Sequence, residues 1–414
     1  PGKNGNQDQV TISANQSQAE PNTTAHFGAA GDCGMATATK VTGKQQFAFT
    51  LDHKAAYLLF LPRTSNTILN KCYLTKVEVN SDNDITDTYT LNPTTGELTG
   101  TGTGKQIVLT TKGSGTYANG FPLTNNATSA ATNGAYMVIK PGTHTLKIRY
   151  WVKDMVTNVE GTITKTLSSA TYDQNKYYNI TANLDVKNYD GDHYYMWDAQ
   201  QQYWYGYEWT KHLPSGTGQP TLVGATAGKY ALYTDADRYF NQNGCSGRYD
   251  AIHTSFHNVP NANELSWYCM FGDPRSDRYE LWTTMGHLYK GGVWFKKKSV
   301  LQAEGKYNTE KSADNITDLR TTYKDYNNSV SFETPSASDA GNYFYLPTLG
   351  FYADGQLYSL SGIGTGFYWS SSADPRACFI AYYLMCNSGG VNVYSNGNRG
   401  NGYRAQPFSD FGDN

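Results

Sequence analysis

Three serines in a row follow two large aromatic residues in the stretch GFYWSSS (366–372). A serine hydroxyl becomes a nucleophile only when a base takes its proton. No histidine lies near this run in the sequence. The chain also lacks a G-x-S-x-G elbow, an H-E-x-x-H motif and paired carboxylates in an apolar setting. The residue types therefore predict no enzyme. Two other readings remain. Tyr368 and Trp369 could belong to a buried structural corner. Alternatively the stretch is a sugar-reading loop that combines flat ring faces with hydroxyls. The glycines just before it, GIGTG (362–366), look superficially like a phosphate loop. No Lys-Ser/Thr follows them and the next segment reads as strand, so no helix N-terminus would face a phosphate. Tight turns explain them better.

Two clusters have metal-ligand chemistry. Asp82, Asp84 and Asp87 in NSDNDITD (80–87) have calcium-like spacing, but Asp87 stands where a calcium loop needs glycine and Pro93 where it needs glutamate. A solvated turn is expected. Cys245, His253, His257 and Cys269 could supply two sulfurs and two imidazoles to zinc, yet no Cys-x-x-Cys clamp is present and ordinary packing is expected. No metal and no cofactor is predicted.

The densest aromatic segment is MWDAQQQYWYGYEW (196–209). Trp197, Tyr203, Trp204, Tyr205 and Trp209 are the candidate ligand contacts, because their rings could stack on the C–H face of a pyranose. The competing reading, which weighs more, is a packing cluster at the edge of a domain.

The 414 residues are enough for two or three domains. A net charge of −2 provides no basic footprint, which argues against nucleic acid as a partner. Only 16% of residues are charged while 14% are aromatic and 41 are glycine, a balance that fits an extracellular β-rich protein. No apolar run approaches the roughly 18 residues that span a bilayer. The opening PGKNGNQDQV has neither initiator Met nor apolar signal core and reads as a trimmed product, with any signal or lipid-bearing cysteine upstream. Six cysteines do not make a disulfide scaffold in a chain this long. Cys378 and Cys386 fall on one face of a predicted strand, about 26 Å apart if it is unbroken. A bond between them is excluded, and both read as small buried hydrophobes.

The elements that must position these residues are mostly strands. Residues 1–44 are polar and aperiodic, and read as a flexible lead-in or one loosely attached strand. Alternation then places Phe47, Phe49 and Leu51, followed by Ala55, Tyr57, Leu59 and Leu61, on single faces. YLTKVEV (73–79) is a strand, and TYTLNPTTGELTG a hairpin about Pro93–Gly96. AYMVIK (135–140), the turn Pro141-Gly142 and TLKIRYWV (145–152) read as a hairpin, with Leu146, Ile148, Tyr150 and Val152 on one face. KYYNITANLDV closes a β-sandwich over 45–188. Turn residues cluster in KNYDGDHY (187–194), and 189–414 read as an α+β domain. Within it a short helix enters after Pro260, with Leu265, Tyr268 and Cys269 inward.

FAFTLDHKAAYLLF, LTKVEVNSDNDITDTYTLNPTTGELTG and YDQNKYYNITANLDV together resemble the Bacteroidetes fimbrillin family. That resemblance implies a transthyretin-like β-sandwich. VPNANELSWYCMFGDPRSD, ELWTTMGHLYKGGVWFKKKS and YFYLPTLGF…GFYWSSS…NSGGVNV…NRGNGYRAQP are similar to the Fibrobacter succinogenes major paralogous domain, which implies a C-type-lectin-like fold. Together they imply a surface adhesin, a tip or accessory pilus subunit. It would join other pilin subunits by strand addition, bind host or bacterial surface glycan or protein, and sit at the outer membrane through an upstream lipid anchor. The alternative is a glycan-binding surface lipoprotein that never polymerises. Metal-binding C-type lectins carry Trp-Asn-Asp where this chain has Trp369-Ser-Ser-Ser, and the sole Glu-Pro-Asn (20–22) lies in the other domain. The resemblance therefore implies the fold without the calcium site.

Overall fold

In the computed structural model, which describes residues 8–189, 191–207, 230–360 and 364–413, strands far outnumber helices. The chain divides into two units. The first runs to Val186 and includes Ser336–Ala340; the second runs from Lys187. Among the described residues no helix is long and apolar enough to cross a membrane.

The first unit contains β1 (Gln9–Ile12), β2 (Asn15–Ser17), β3 (Ala56–Arg63), β4 (Tyr73–Ser81), β5 (Gln106–Thr110), β6 (Ala135–Ile139), β7 (Gly142–Lys153), β8 (Glu160–Tyr172) and β9 (Tyr177–Asn183). One layer has the order β2-β5-β4-β7-β8, the other β6-β3-β9. Period-two alternation sends Val77, Val79, Ile148 and Tyr150 from the first layer toward Leu58, Phe60 and Met137 of the second, and all are fully buried. Phe60 and Tyr150 meet edge to face at 6.1 Å between ring centres.

Three expectations are corrected here. Residues 135–152 do not form a hairpin. β6 pairs with β3 and β7 pairs with β4 and β8, so Pro141-Gly142 is a corner that passes the chain from one sheet to the other. Alternation sets which face a residue occupies, whereas the neighbouring strand is chosen by tertiary packing. Residues 8–17 are not a flexible lead-in. β1 pairs with Asp87–Leu91 and β2 runs parallel to β5, with Val10 and Ile12 buried. Lastly, Phe47, Phe49 and Leu51 are not core. They lie on an antiparallel arm, residues 33–54, held in one register: Lys40 opposite Phe47, Thr39 opposite Ala48, Met35 opposite Asp52 and Gly34 opposite His53. Their exposures are 62%, 63% and 55%. The alternation is real, but among the described residues no second layer covers the ribbon.

In the second unit, β10 (Tyr194–Tyr195), α1 (Ala262–Phe271), β11 (Arg275–Thr284), β12 (His287–Lys296), β13 (Tyr326–Asn328), β14 (Tyr343–Pro347), β15 (Gly366–Ala373), β16 (Ile380–Asn387), β17 (Gly390–Asn398) and β18 (Tyr403–Arg404) follow in order. A six-stranded sheet has the order β10-β18-β15-β16-β17-β13, and β11, β12 and β14 are paired consecutively. Asn261 caps α1 by accepting the Glu264 amide, and the Glu264 carboxylate accepts the Asn261 amide in return. Leu265, Tyr268 and Cys269 of this helix are buried.

Candidate functional site

The aromatic segment is positioned by β10 and the turn after it. Trp197 is fully buried and its Nε1 donates to the Ser370 carbonyl at 2.8 Å. The Arg399 guanidinium lies 4.3 Å from the centre of its ring. Tyr203 is buried, stacked on Tyr352 at 5.4 Å, with its hydroxyl accepting the Gly355 amide at 3.0 Å. Trp204 is also buried. These three rings are therefore core, which corrects their reading as ligand contacts: a ring already packed on both faces offers none to a sugar. Tyr205 is 47% exposed. Trp209 lies outside the described residues.

GFYWSSS is β15, a central strand. Tyr368 donates to the Pro347 carbonyl at 2.5 Å, and Trp369 Nε1 to the Tyr195 carbonyl at 2.8 Å. The Trp369 ring stacks on Tyr403 at 4.3 Å. The serines bond backbone groups. Ser372 Oγ accepts the Ala262 amide at the first turn of α1, and Ser370 Oγ accepts the Ser372 amide. The two rings are core, as the architectural reading expected, but the stretch is itself a strand and not a corner, with the serines in its second half rather than at its start.

The metal candidates do not assemble. Asp84 pairs with Lys140 at 2.7 Å, Asp82 accepts the Thr145 amide, and Asp87 accepts the amides of Thr88 and Thr103. These hydrogen bonds, together with the Lys140 charge on Asp84, hold all three carboxyls below the usual carboxylate range. Cys245 is bonded to Cys378, His253 Nδ1 donates to the Asp198 carbonyl at 2.6 Å, and Cys269 is buried in α1. No group of three metal-ligating side chains occurs among the described residues.

The disulfide corrects the reading of Cys378 as a buried hydrophobe. β16 begins at Ile380, so Cys378 stands in the turn before the strand, where Cys245 reaches it with 4.0 Å between Cα atoms. Beside it, Arg399 donates to the carbonyls of Ile380, Asn241 and Asn243 at 3.0, 2.8 and 2.7 Å. Burial lowers this guanidinium to about 10. Bond and guanidinium together tie two separate loops over Trp197. Cys386 behaves as expected: it is fully buried and its thiol is pushed up to about 12.

The first unit carries the feature that the sequence reading missed. β6 is the last strand of its layer, yet its outer edge is not bare. Gln16 Nε2 donates to the Val138 carbonyl and Gln18 Nε2 to the Gly134 carbonyl, while the amides of Val138 and Tyr136 donate to the two side-chain oxygens. Both glutamines are buried, so two side-chain amides serve as a substitute strand. Glutamines two residues apart on a strand point the same way, and that spacing was the available signal. The opposite edge differs. Among the described residues nothing pairs with the outer side of β9. Next to it, on the layer's outer face, lies an open groove of about 340 Å³ lined by Leu59, Leu61, Thr128, Ala130, Tyr136, Tyr177 and Asn179.

No family model matches this chain, and no curated protein matches it. Among solved structures, a protein from Bacteroides uniformis provisionally named for cell adhesion is 18% identical, covering 42% of this chain and 61% of its own, with a TM-score of 0.23. One from Bacteroides ovatus with the same provisional name is 15% identical over 40% of this chain and 58% of its own, with a TM-score of 0.22. The chain thus spans less than two thirds of those proteins. A fimbrial protein from Bacteroides ovatus is 11% identical over 89% of this chain and 73% of its own, with a TM-score of 0.14. Superpositions at this level do not establish a shared fold.

Proposed function

We propose that this chain is a non-catalytic cell-surface adhesin of fimbrillin type, a tip or accessory subunit that receives a neighbouring subunit by strand addition. One observation carries the reading: of the two edges of the β6-β3-β9 layer, one is sealed by buried glutamine amides and the other is left open. Natural sheets blunt or cover edges they do not use, and an edge left unpaired is the arrangement that takes up an extended partner strand. The Cys245–Cys378 bond supports an oxidising location such as a cell surface. The second unit, α+β and with its core aromatics buried, would be the exposed ligand-binding end. An anchor upstream of the chain would hold it at the outer membrane. The cell-adhesion and fimbrial names belong to the solved structures above and add no weight of their own. The reading is tested by coating beads with the purified chain and counting attachment to host-cell and bacterial monolayers and to a glycan panel. Attachment above bare beads is expected; none to any of these surfaces overturns it.

A further inference from the structure

We infer that the ligand of the second unit is a linear, uncharged polysaccharide, and that it lies along the outer face of the sheet formed by β15, β16 and β17. This inference rests on the adhesin reading and gives it a ligand class and a site. Alternation divides the three strands into two faces. Tyr368, Leu384, Val391 and Val393 are buried in one core with Leu265 and Cys269 of α1. Their neighbours Phe367, Met385, Asn392 and Tyr394 point the other way and are only half-buried. Register sets Phe367 opposite Met385, and Met385 opposite Asn392. Beside them Phe351–Ala353 pairs with Gln356–Tyr358 and adds two rings. Phe351 lies 4.7 Å from Phe367, and Tyr358, 42% exposed, stacks on Phe351 at 5.4 Å. Tyr383, itself buried, links Phe367 to Tyr394 at 6.1 Å from each. A strip of rings thus runs from Tyr358 to Tyr394.

Amides and hydroxyls border the strip, and charges do not. β17 turns Asn392, Tyr394, Asn396 and Asn398 to the outer side. Among the described residues neither the Tyr394 hydroxyl nor the Asn392 amide has a hydrogen-bond partner. β15, β16 and β17 contain no Asp, Glu, Lys or Arg. Asp325, just before β13, has its oxygens bonded to the Ser395 amide and the Tyr323 hydroxyl, each at 3.0 Å. Aromatic faces suit the C–H side of a sugar ring, and side-chain amides suit its hydroxyls. An acidic polymer would find no cation on these strands and a basic one no anion. A protein partner is less well matched, because protein interfaces favour arginine among their anchors and carry charge at the rim. Since the rings succeed one another across the strip, several sugar units in line would be held together.

The test is affinity electrophoresis of the full chain in gels holding linear β-glucan, xylan or mannan, with pectate and chondroitin sulfate as charged counterparts. At least one neutral gel should retard the chain, and neither charged gel should. Oligosaccharides of the retarding polymer should bind more tightly as they lengthen from disaccharide to hexasaccharide. Tyr358→Ala and Tyr394→Ala should each weaken hexasaccharide binding by roughly three- to tenfold, with melting temperatures unchanged. Tyr394→Phe, which keeps the ring, should retain most of the affinity. Tyr177→Ala, at an exposed tyrosine of the first unit, should bind like the wild type. No retardation by a neutral polymer, retardation by the charged ones alone, affinity indifferent to length, or ring variants that bind like the wild type would each overturn the inference. Beads that attach equally to cells stripped of surface polysaccharide by periodate, and equally with Tyr394→Ala, would point to a protein partner. That outcome would sink this inference and leave the adhesin reading standing.

Discussion

Gln16 and Val138 exchange two hydrogen bonds: Gln16 Nε2 donates to the Val138 carbonyl at 2.7 Å, and the Val138 amide donates to Gln16 Oε1 at 2.9 Å. Gln18 repeats the exchange with Tyr136 N and Gly134 O at 2.7 and 2.9 Å. Truncating either side chain leaves a backbone donor and acceptor of β6 without a partner, which costs about 1–3 kcal/mol for each buried group. Gln16→Ala and Gln18→Ala should therefore lower the unfolding free energy and speed hydrogen exchange at Val138 and Tyr136 respectively. Unchanged protection of those amides would show that the glutamines do not seal the edge.

What the sequence made legible follows from what local pattern can encode. Pro260 and the acid–apolar pattern after it announced α1, and Leu265, Tyr268 and Cys269 are buried as that pattern required. Leu146, Ile148, Tyr150 and Val152 announced one buried face of β7, and all are fully buried. Partner choice was not legible. The same alternation occurs in Phe47–Leu51 on an uncovered arm and in Tyr57–Leu61 inside a layer, because alternation records a strand and not what lies over it. Likewise Trp197, Tyr203 and Trp204 carry no mark in sequence that separates a packed ring from a presented one. Cys378 looked like part of a strand because its partner is 133 residues away.

That separation gives the disulfide its expected effect. A bond closing a loop of this length restricts the unfolded chain strongly, and removing a native bond typically costs about 2–5 kcal/mol. Cys378→Ser, or reduction with dithiothreitol, should lower the melting temperature of the second unit. The first unit, whose cysteines are free, should melt unchanged. Identical melting with and without reductant would mean that the bond contributes nothing to stability.

Trp369→Ala should act on stability and not on recognition. Its ring is 1% exposed, stacked on Tyr403, with Nε1 bonded to the Tyr195 carbonyl. Deleting a buried aromatic of this size typically costs about 3–5 kcal/mol. A variant that keeps its melting temperature but loses attachment to cells would restore the sugar-platform reading.

Two histidines of the first unit set its response to mild acid. Burial lowers the pKa of His26 and of His144, outweighing the backbone carbonyls of Tyr136 and Lys140 that favour their protonated forms. A base with a folded pKa below its unfolded value binds its proton more readily when unfolded. The stability it contributes is therefore complete above the ordinary histidine value of 6.5 and falls as pH drops through and below it. Asp185, held low by hydrogen bonds from Thr64 and Ser65, begins to lose its contribution only under more acid conditions. Melting of the first unit should thus decline between pH about 7 and about 5. Replacing both histidines with glutamine should flatten that decline, and a decline that persists unchanged would assign it to other groups.

Chelation should leave both the fold and any adhesion intact. The carboxylate that follows the Trp369-Ser-Ser-Ser run is Asp374, and it is fully buried beneath Arg376, whose Nε and Nη2 donate to it at 2.7–3.2 Å. The serines before it bring neutral hydroxyls, and Ser370 and Ser372 already accept backbone amides. Calcium takes six to eight oxygens, several of them charged, and its capture here would require breaking the Arg376 pair and exposing a buried carboxylate. The acidic run in the first unit is equally committed, since Asp84 is bound by Lys140, and Asp82 and Asp87 by backbone amides. Melting curves and bead attachment measured with and without EDTA should therefore superimpose. Attachment lost with chelator and restored by calcium but not by magnesium would show that these carboxylates rearrange to hold an ion.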